Sequence, residues 1–171
     1  MNTRPIIMLD FDEVIVLNRP GDFGGFDVIS RNPPPGLWER LFHQPAVQTL
    51  VQAITEHHAQ VVITTSWLRF MTRDAFEDLF KKTALEVLSE NLHGAWEALP
   101  ERSDTRAQAI DRWLAANHRG EPYVILDDDR SGTGLRNSVH DRRKRVIFCE
   151  MDVGLEPGHL PFMRTALTRA P

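Results

Sequence analysis

Four short apolar runs constrain this chain more than anything else in it: PIIMLDF at 5–11, VVITTS at 61–66, YVILDD at 123–128 and RVIFCE at 145–150. Each is rich in β-branched or aliphatic residues, is short for a helix, and does not alternate polar with apolar. Strands of that kind are buried on both faces, as in a parallel sheet covered by helices. The stretches between them have helical spacing. Val47, Leu50, Val51 and Ile54 share one face over 45–58, and Pro45 suits the first turn of that helix. Residues 72–90 read as one or two helices, 104–117 as another through Ala107, Ile110 and Leu114, and 160–169 as a short one. Strands alternating with helices predict an α/β fold with a mainly parallel sheet.

The chain has 171 residues, which at about 150 per domain predicts a single domain over 1–171. With 42% hydrophobic and 26% charged residues, wholesale disorder and coiled coil are excluded. Lys plus Arg number 20 against 24 Asp plus Glu, a net charge of −4. That excludes a globally basic nucleic-acid protein and leaves room for a local basic patch. The single cysteine, Cys149, permits no intrachain disulfide and no multi-cysteine zinc site. It reads as a small buried residue in a reducing compartment. Asp10, Asp12 and Glu13 interrupt the first apolar stretch, so it is no secretory signal. No run approaches the 18 residues or so of a membrane span. The expectation is a cytoplasmic protein without a membrane partner.

In open α/β sheets, ligands bind beyond the carboxyl ends of the strands. The first strand here ends in Asp10-Phe11-Asp12, the second in Thr64-Thr65-Ser66, the third in Asp127-Asp128-Asp129. Singly these signals are weak: an Asp-x-Asp is often a turn, a Thr-Thr-Ser run a helix cap, adjacent acids a solvated loop. Together they put several carboxylates on one rim, where they repel one another unless a cation intervenes. Oxygen-only ligands suit a hard ion such as Mg²⁺.

On these residues the chain resembles the haloacid dehalogenase-like (HAD) phosphohydrolases. IIMLDFDEV is similar to their first motif, VVITT to the second, Arg106 in DTRAQAIDRWL to the basic third, and VILDD to the acidic fourth, in the family's order over 6–128. The resemblance implies a Rossmann-like three-layer sandwich. It implies Asp10 as nucleophile, Asp12 as general acid and base, Thr65 as a phosphoryl hydrogen-bond donor and Arg106 as the neutralising cation. It further implies Mg²⁺ held by Asp10, the Asp12 carbonyl and Asp128, with Asp127 a ligand or its support. One departure stands out: where relatives carry Gly, this chain has Glu13, which reads as extra negative charge near the cleft. A non-catalytic binding or regulatory domain on the same fold is the competing class. A receiver-type signalling domain is disfavoured, because its phosphorylated Asp follows the third strand.

The two usual cap insertion points hold 28 residues (17–44) and 39 residues (67–105). The first is a flap-like insertion that includes Pro33-Pro34-Pro35 and has room for a small hairpin; the second reads as a small helical segment. Neither is long enough for a large cap. An open cleft favours a bulky phosphorylated substrate, such as a nucleic-acid end, with a 5′(3′)-nucleotidase as the alternative. The motif set is also similar to the phosphatase half of polynucleotide end-healing enzymes. Trp67 and Arg69, just past Thr65, are candidate substrate-binding residues. The loop 130–145, with six Lys or Arg and one acid, reads as a solvated connection or as a phosphate-backbone contact beside the cleft.

Overall fold

The computed structural model describes residues 4–130 and 132–170. Its centre is β1 (Ile6–Leu9), whose four residues are fully buried, as the apolar run demands. Around it lie β2 (Gln60–Ile63), β3 (Leu92–Glu97), β4 (Tyr123–Asp128) and β5 (Val146–Cys149). The order is β3-β2-β1-β4-β5 and every pairing is parallel. The chain winds outward from β1 through β2 to β3, then returns to β4 on the other side. The direction of winding therefore reverses between β1 and β4, and the carboxyl ends of those two strands open a crevice there.

Side chains alternate between the sheet's faces. Ile7 and Leu9 join a core with α3 (Gln44–His57), α4 (Arg73–Lys82) and α8 (Leu160–Thr168). Ile6 and Met8 join a second core with Ala107, Ile110 and Trp113 of α6 (Arg106–Asn117). The result is the expected three-layer α/β sandwich with a helix layer on each face. No helix among the described residues is long and apolar enough to cross a membrane. Cys149 is buried in β5, and burial holds its thiol well above the ordinary value.

Two expectations are corrected. The segment 67–105 is not simply helical: after α4 and the short α5 (Glu86–Glu90) it supplies β3, an edge strand of the sheet. Its sequence, LHGAWE, hides the strand. An edge strand needs no continuous apolar run, none of its residues is fully buried, and its register with β2 slips between Val61 and Ile63. The insertion 17–44 forms no hairpin. It makes two single-turn helices, α1 (Gly25–Val28) and α2 (Leu37–Arg40), with Leu37, Leu41 and Phe42 driven into the core.

Candidate active site

Backbone pairing builds the rim. The Asp10 amide donates to Leu126 O (3.0 Å) and the Thr64 amide to Leu9 O (2.9 Å), which aligns the ends of β1, β2 and β4. Ligand atoms of Asp10, Asp127 and Asp128 then lie within 4.8 Å of one another, and all three residues are buried. Asp129 is not part of the group; it turns out to solvent and pairs with Arg136.

Arg106 enters this cluster from the first residue of α6. The helix is capped by Thr105 with Gln108, which puts the guanidinium directly over the rim. Its Nη1 lies 3.0 Å from both Asp10 Oδ1 and Asp127 Oδ2. Burial works against the Arg106 charge, but Asp10 and Asp127 hold it above its ordinary value. Lys81 and Lys82, by contrast, end α4, where Lys82 pairs with Asp78 at 2.7 Å.

Arg106 does not balance the three acids, and Arg130, 3.6 Å from Asp128, is shared with Glu13. Burial, then repulsion from Asp10, pushes the Asp127 carboxyl far above the usual range, and burial likewise raises Asp128. Asp10 Oδ1 is buried and accepts no hydrogen bond among the described residues, since Arg106 approaches it off-line. An all-oxygen group with surplus negative charge and an unsatisfied oxygen fits a hard divalent cation such as Mg²⁺.

Asp12 stands apart from that group. Burial and the neighbouring Asp10 raise its carboxyl to about 6. Its Oδ2 accepts a hydrogen bond from Trp67 Nε1 at 2.9 Å. This corrects the expectation for Trp67. The indole is 2% exposed, wedged edge-on to Phe11 (5.2 Å between ring centroids) and covered by Gly25 of the flap. A Cβ on Gly25 would come within 2.7 Å of the indole, so only glycine fits there. Trp67 thus aims Asp12 and is not presented for stacking on a substrate.

The second-strand hydroxyls also sort themselves. The predicted donor, Thr65, is fully buried and caps the 3-10 turn Ser66–Arg69, accepting from the Trp67 amide. The hydroxyl beside the cluster is Thr64, 3.5 Å from Arg106 Nη1. Sequence reasoning missed it because two adjacent threonines follow the strand. Ser66 and Arg69 line the cleft, a cavity of about 310 Å³ that also meets Asp10, Asp12, Arg106 and Asp128.

Glu13 does not add charge to the open cleft. Its backbone takes the left-handed conformation (φ 58°), the reason a glycine suits this position. The side chain is fully buried among loops. It accepts from the Asp152 amide (2.7 Å) and the Asn18 amide (3.2 Å), with Arg130 Nη2 at 3.4 Å. These bonds offset the backbone strain and tie the flap to the loop after β5. Arg130, the first basic residue of the loop 130–145, also reaches Asp128 at 3.6 Å.

The loop 130–145 divides. Arg130, Gly132 and Thr133 line the cleft. Beyond the single turn α7 (Val139–Arg142) the chain enters β5, so Arg142–Arg145 sit at the opposite, amino-terminal edge of the sheet. The expected contact between this basic run and a substrate beside the cleft is corrected accordingly. Arg145 is itself buried, donating to Ala166 O (2.6 Å) and Ala170 O (2.7 Å) at the end of α8.

No curated relative and no solved structure matches the chain. A family model described as the HAD domain in Swiss Army Knife RNA repair proteins matches residues 6–160, from β1 to the start of α8, and so takes in every residue of the rim. The chain belongs to that family, and is a HAD-like phosphohydrolase domain with similarity to RNA end-healing proteins.

Proposed function

We propose that this protein is a Mg²⁺-dependent phosphomonoesterase that removes terminal phosphates from nucleic-acid ends, RNA above all, through an aspartyl-phosphate on Asp10. The observation that carries the reading is the division of labour between two acids on one short segment. Asp10 lies under Arg106 within the unbalanced cluster, whereas Asp12 lies outside it, tethered to Trp67 with its carboxyl raised to about 6.

In this mechanism Asp10 attacks phosphorus and the bond to the leaving oxygen breaks. Asp12 gives its proton to that oxygen as it departs. Asp12, now a carboxylate, then takes a proton from water; the resulting hydroxide attacks the phosphoryl group and Asp10 is released. Arg106 keeps the Asp10 carboxylate in place and faces the phosphoryl oxygens, with the Thr64 hydroxyl beside it. Asp10, the Asp12 carbonyl, Asp128 and Asp127 would hold Mg²⁺, whose charge lets a phosphate dianion enter a site that otherwise repels it. Family membership supports the RNA end, and the short insertions support an open cleft that admits a polymer.

The test is phosphate release from 3′- and 5′-phosphorylated RNA oligonucleotides, from mononucleotides and from a chromogenic ester, with Mg²⁺ and with chelator. We expect chelation to abolish turnover and Mg²⁺ to restore it. Asp10→Asn should lower kcat at least about 10³-fold with the fold intact. Mononucleotides outpacing oligonucleotides would make the protein a nucleotidase. Metal-independent release, or an Asp10→Asn protein within tenfold of wild type, would remove the mechanism.

A further inference from the structure

Beside the phosphate cleft lies a second cavity of about 500 Å³, which shares Asp12, Ser66, Arg69 and Arg130 with it. Its outer wall is aromatic and comes from both insertions: Phe26 of α1 and Phe70, just past the 3-10 turn. The two rings are stacked, 5.6 Å between centroids and 15° between planes. Phe70 in turn lies over Trp67, at 6.5 Å and 30°. The three rings climb out of the core: Trp67 is 2% exposed, Phe70 38% and Phe26 80%. Phe26 is the most exposed large apolar residue described, and exposing it costs free energy unless something covers it.

The geometry points to the base of the nucleoside that carries the scissile phosphate as the occupant of this groove, stacked on the open face of Phe26, which Phe70 backs from behind. The inference rests on the phosphatase reading for where the phosphate sits. Three observations select a base. The stack presents the flat face of Phe26, and among the described residues no aliphatic side chain lines the cavity, so the lining suits a planar π ligand better than an alkyl chain. Asn18 adds to the lining an amide that can both donate to and accept from the edge of a base. Arg69 and Arg130 stand where the two cavities join and meet the charge of the attached phosphate.

The construction also links recognition to chemistry. The indole that starts the stack donates to Asp12, and the glycine next to Phe26 in sequence is the one packed on that indole. A base resting on Phe26 therefore presses the flap onto the residue that aims the general acid.

A dinucleotide bearing its phosphate on a terminal 2-aminopurine nucleoside tests this, alongside the same molecule with the terminal base removed. Binding to Asp10→Asn protein should quench 2-aminopurine fluorescence saturably, and Phe26→Ala or Phe70→Ala should lose the quench while Phe26→Tyr keeps it. In turnover, the ratio of kcat/KM for the base-bearing over the baseless substrate should be at least about tenfold in wild type and approach one in the alanine variants. A ratio near one in wild type, saturable binding without quenching, or an unchanged ratio in both alanine variants would overturn the inference, as would a phosphopeptide surpassing the base-bearing substrate. A quench retained in a protein that hydrolyses neither substrate would sink the phosphatase reading while leaving the base subsite standing.

Discussion

Two buried arginines sit at opposite ends of the same sheet and do opposite things with their charge. Arg106, at the carboxyl ends of the strands, faces Asp10 and Asp127 at 3.0 Å in a cluster that keeps surplus negative charge. Among the described residues, Arg145, at the amino end of β5, forms no ion pair with an acid; its partners are backbone carbonyls. It donates to the carbonyls of Tyr123, Ala166, Arg169 and Ala170 and lies over the Tyr123 ring at 5.3 Å. At Arg145 every donor used is answered by backbone, and a cation at the carboxyl end of α8 agrees with the helix dipole. At Arg106 the charges remain unbalanced around an open cavity, which is the state a ligand or metal completes. Burial of charge alone does not mark a functional site; burial with compensation left unfinished does.

The sharpest way to break this contrast is to neutralise each arginine in turn. Arg106→Gln should reduce kcat/KM by about 10³-fold or more, because the phosphoryl oxygens and Asp10 lose their cation. Arg145→Gln should lower stability by about 2–4 kcal/mol, since several buried carbonyls lose charged donors. Its kcat, measured on folded protein well below the melting transition, should stay within about twofold. Denaturant unfolding and steady-state kinetics on both variants decide the matter. An inactive but fully stable Arg145→Gln protein would erase the distinction.

The chemistry at the rim should also depend on pH. Asp12 must hold its proton to serve the leaving oxygen, and its carboxyl is raised to about 6. The rate for a poor leaving group should therefore fall as pH rises through that region, and the limb should vanish for a chromogenic ester whose leaving group needs no acid. Trp67→Phe keeps a ring in place but removes the donor that favours the ionised form. At equal Mg²⁺ the limb should then move to higher pH, by about half a unit, with kcat lowered roughly tenfold through lost aim. A limb that stays put in this variant would disconnect Trp67 from the acid.

Much of this was legible in the sequence, for a physical reason. Strands buried on both faces leave unbroken apolar runs, so β1, β2, β4 and β5 announce themselves, and parallel pairing brings their acidic carboxyl ends together. What stayed hidden depended on direction or on distant partners. β3 is an edge strand with exposed Gly94 and no apolar run. Glu13 is visible as an acid near the nucleophile, but nothing in the sequence shows that its backbone is left-handed and its carboxylate turned into the loops. Trp67 is an aromatic beside a motif; its burial depends on Gly25, far away in the chain. Phe26 and Phe70 meet only because two separate insertions fold over the same crevice.

The basic run teaches the same lesson and gives the smallest expected effect. A connection between neighbouring parallel strands must cross from the carboxyl edge to the amino edge of the sheet. Residues 130–145 are such a connection, between β4 and β5, so its first residues line the cleft and its last cannot. Arg142, Arg143 and Lys144 instead border a separate cavity of about 540 Å³ with Arg169. Lys144 comes five residues before Cys149, the register partner of Asp128. At about 3.3 Å per residue that places it roughly 16 Å from the rim. Replacing Arg142, Arg143 and Lys144 together by Gln, with Arg145 left to hold α8, should therefore change kcat/KM on an end-phosphorylated dinucleotide by less than about twofold, at low salt and high salt alike. Any loss should emerge only as the RNA lengthens enough to pass around the sheet, and should then weaken with salt as counterion release requires. A salt-sensitive loss already present with the dinucleotide would mean that the two ends of the sheet act on one short substrate, and the separation drawn between Arg106 and the basic edge would fail.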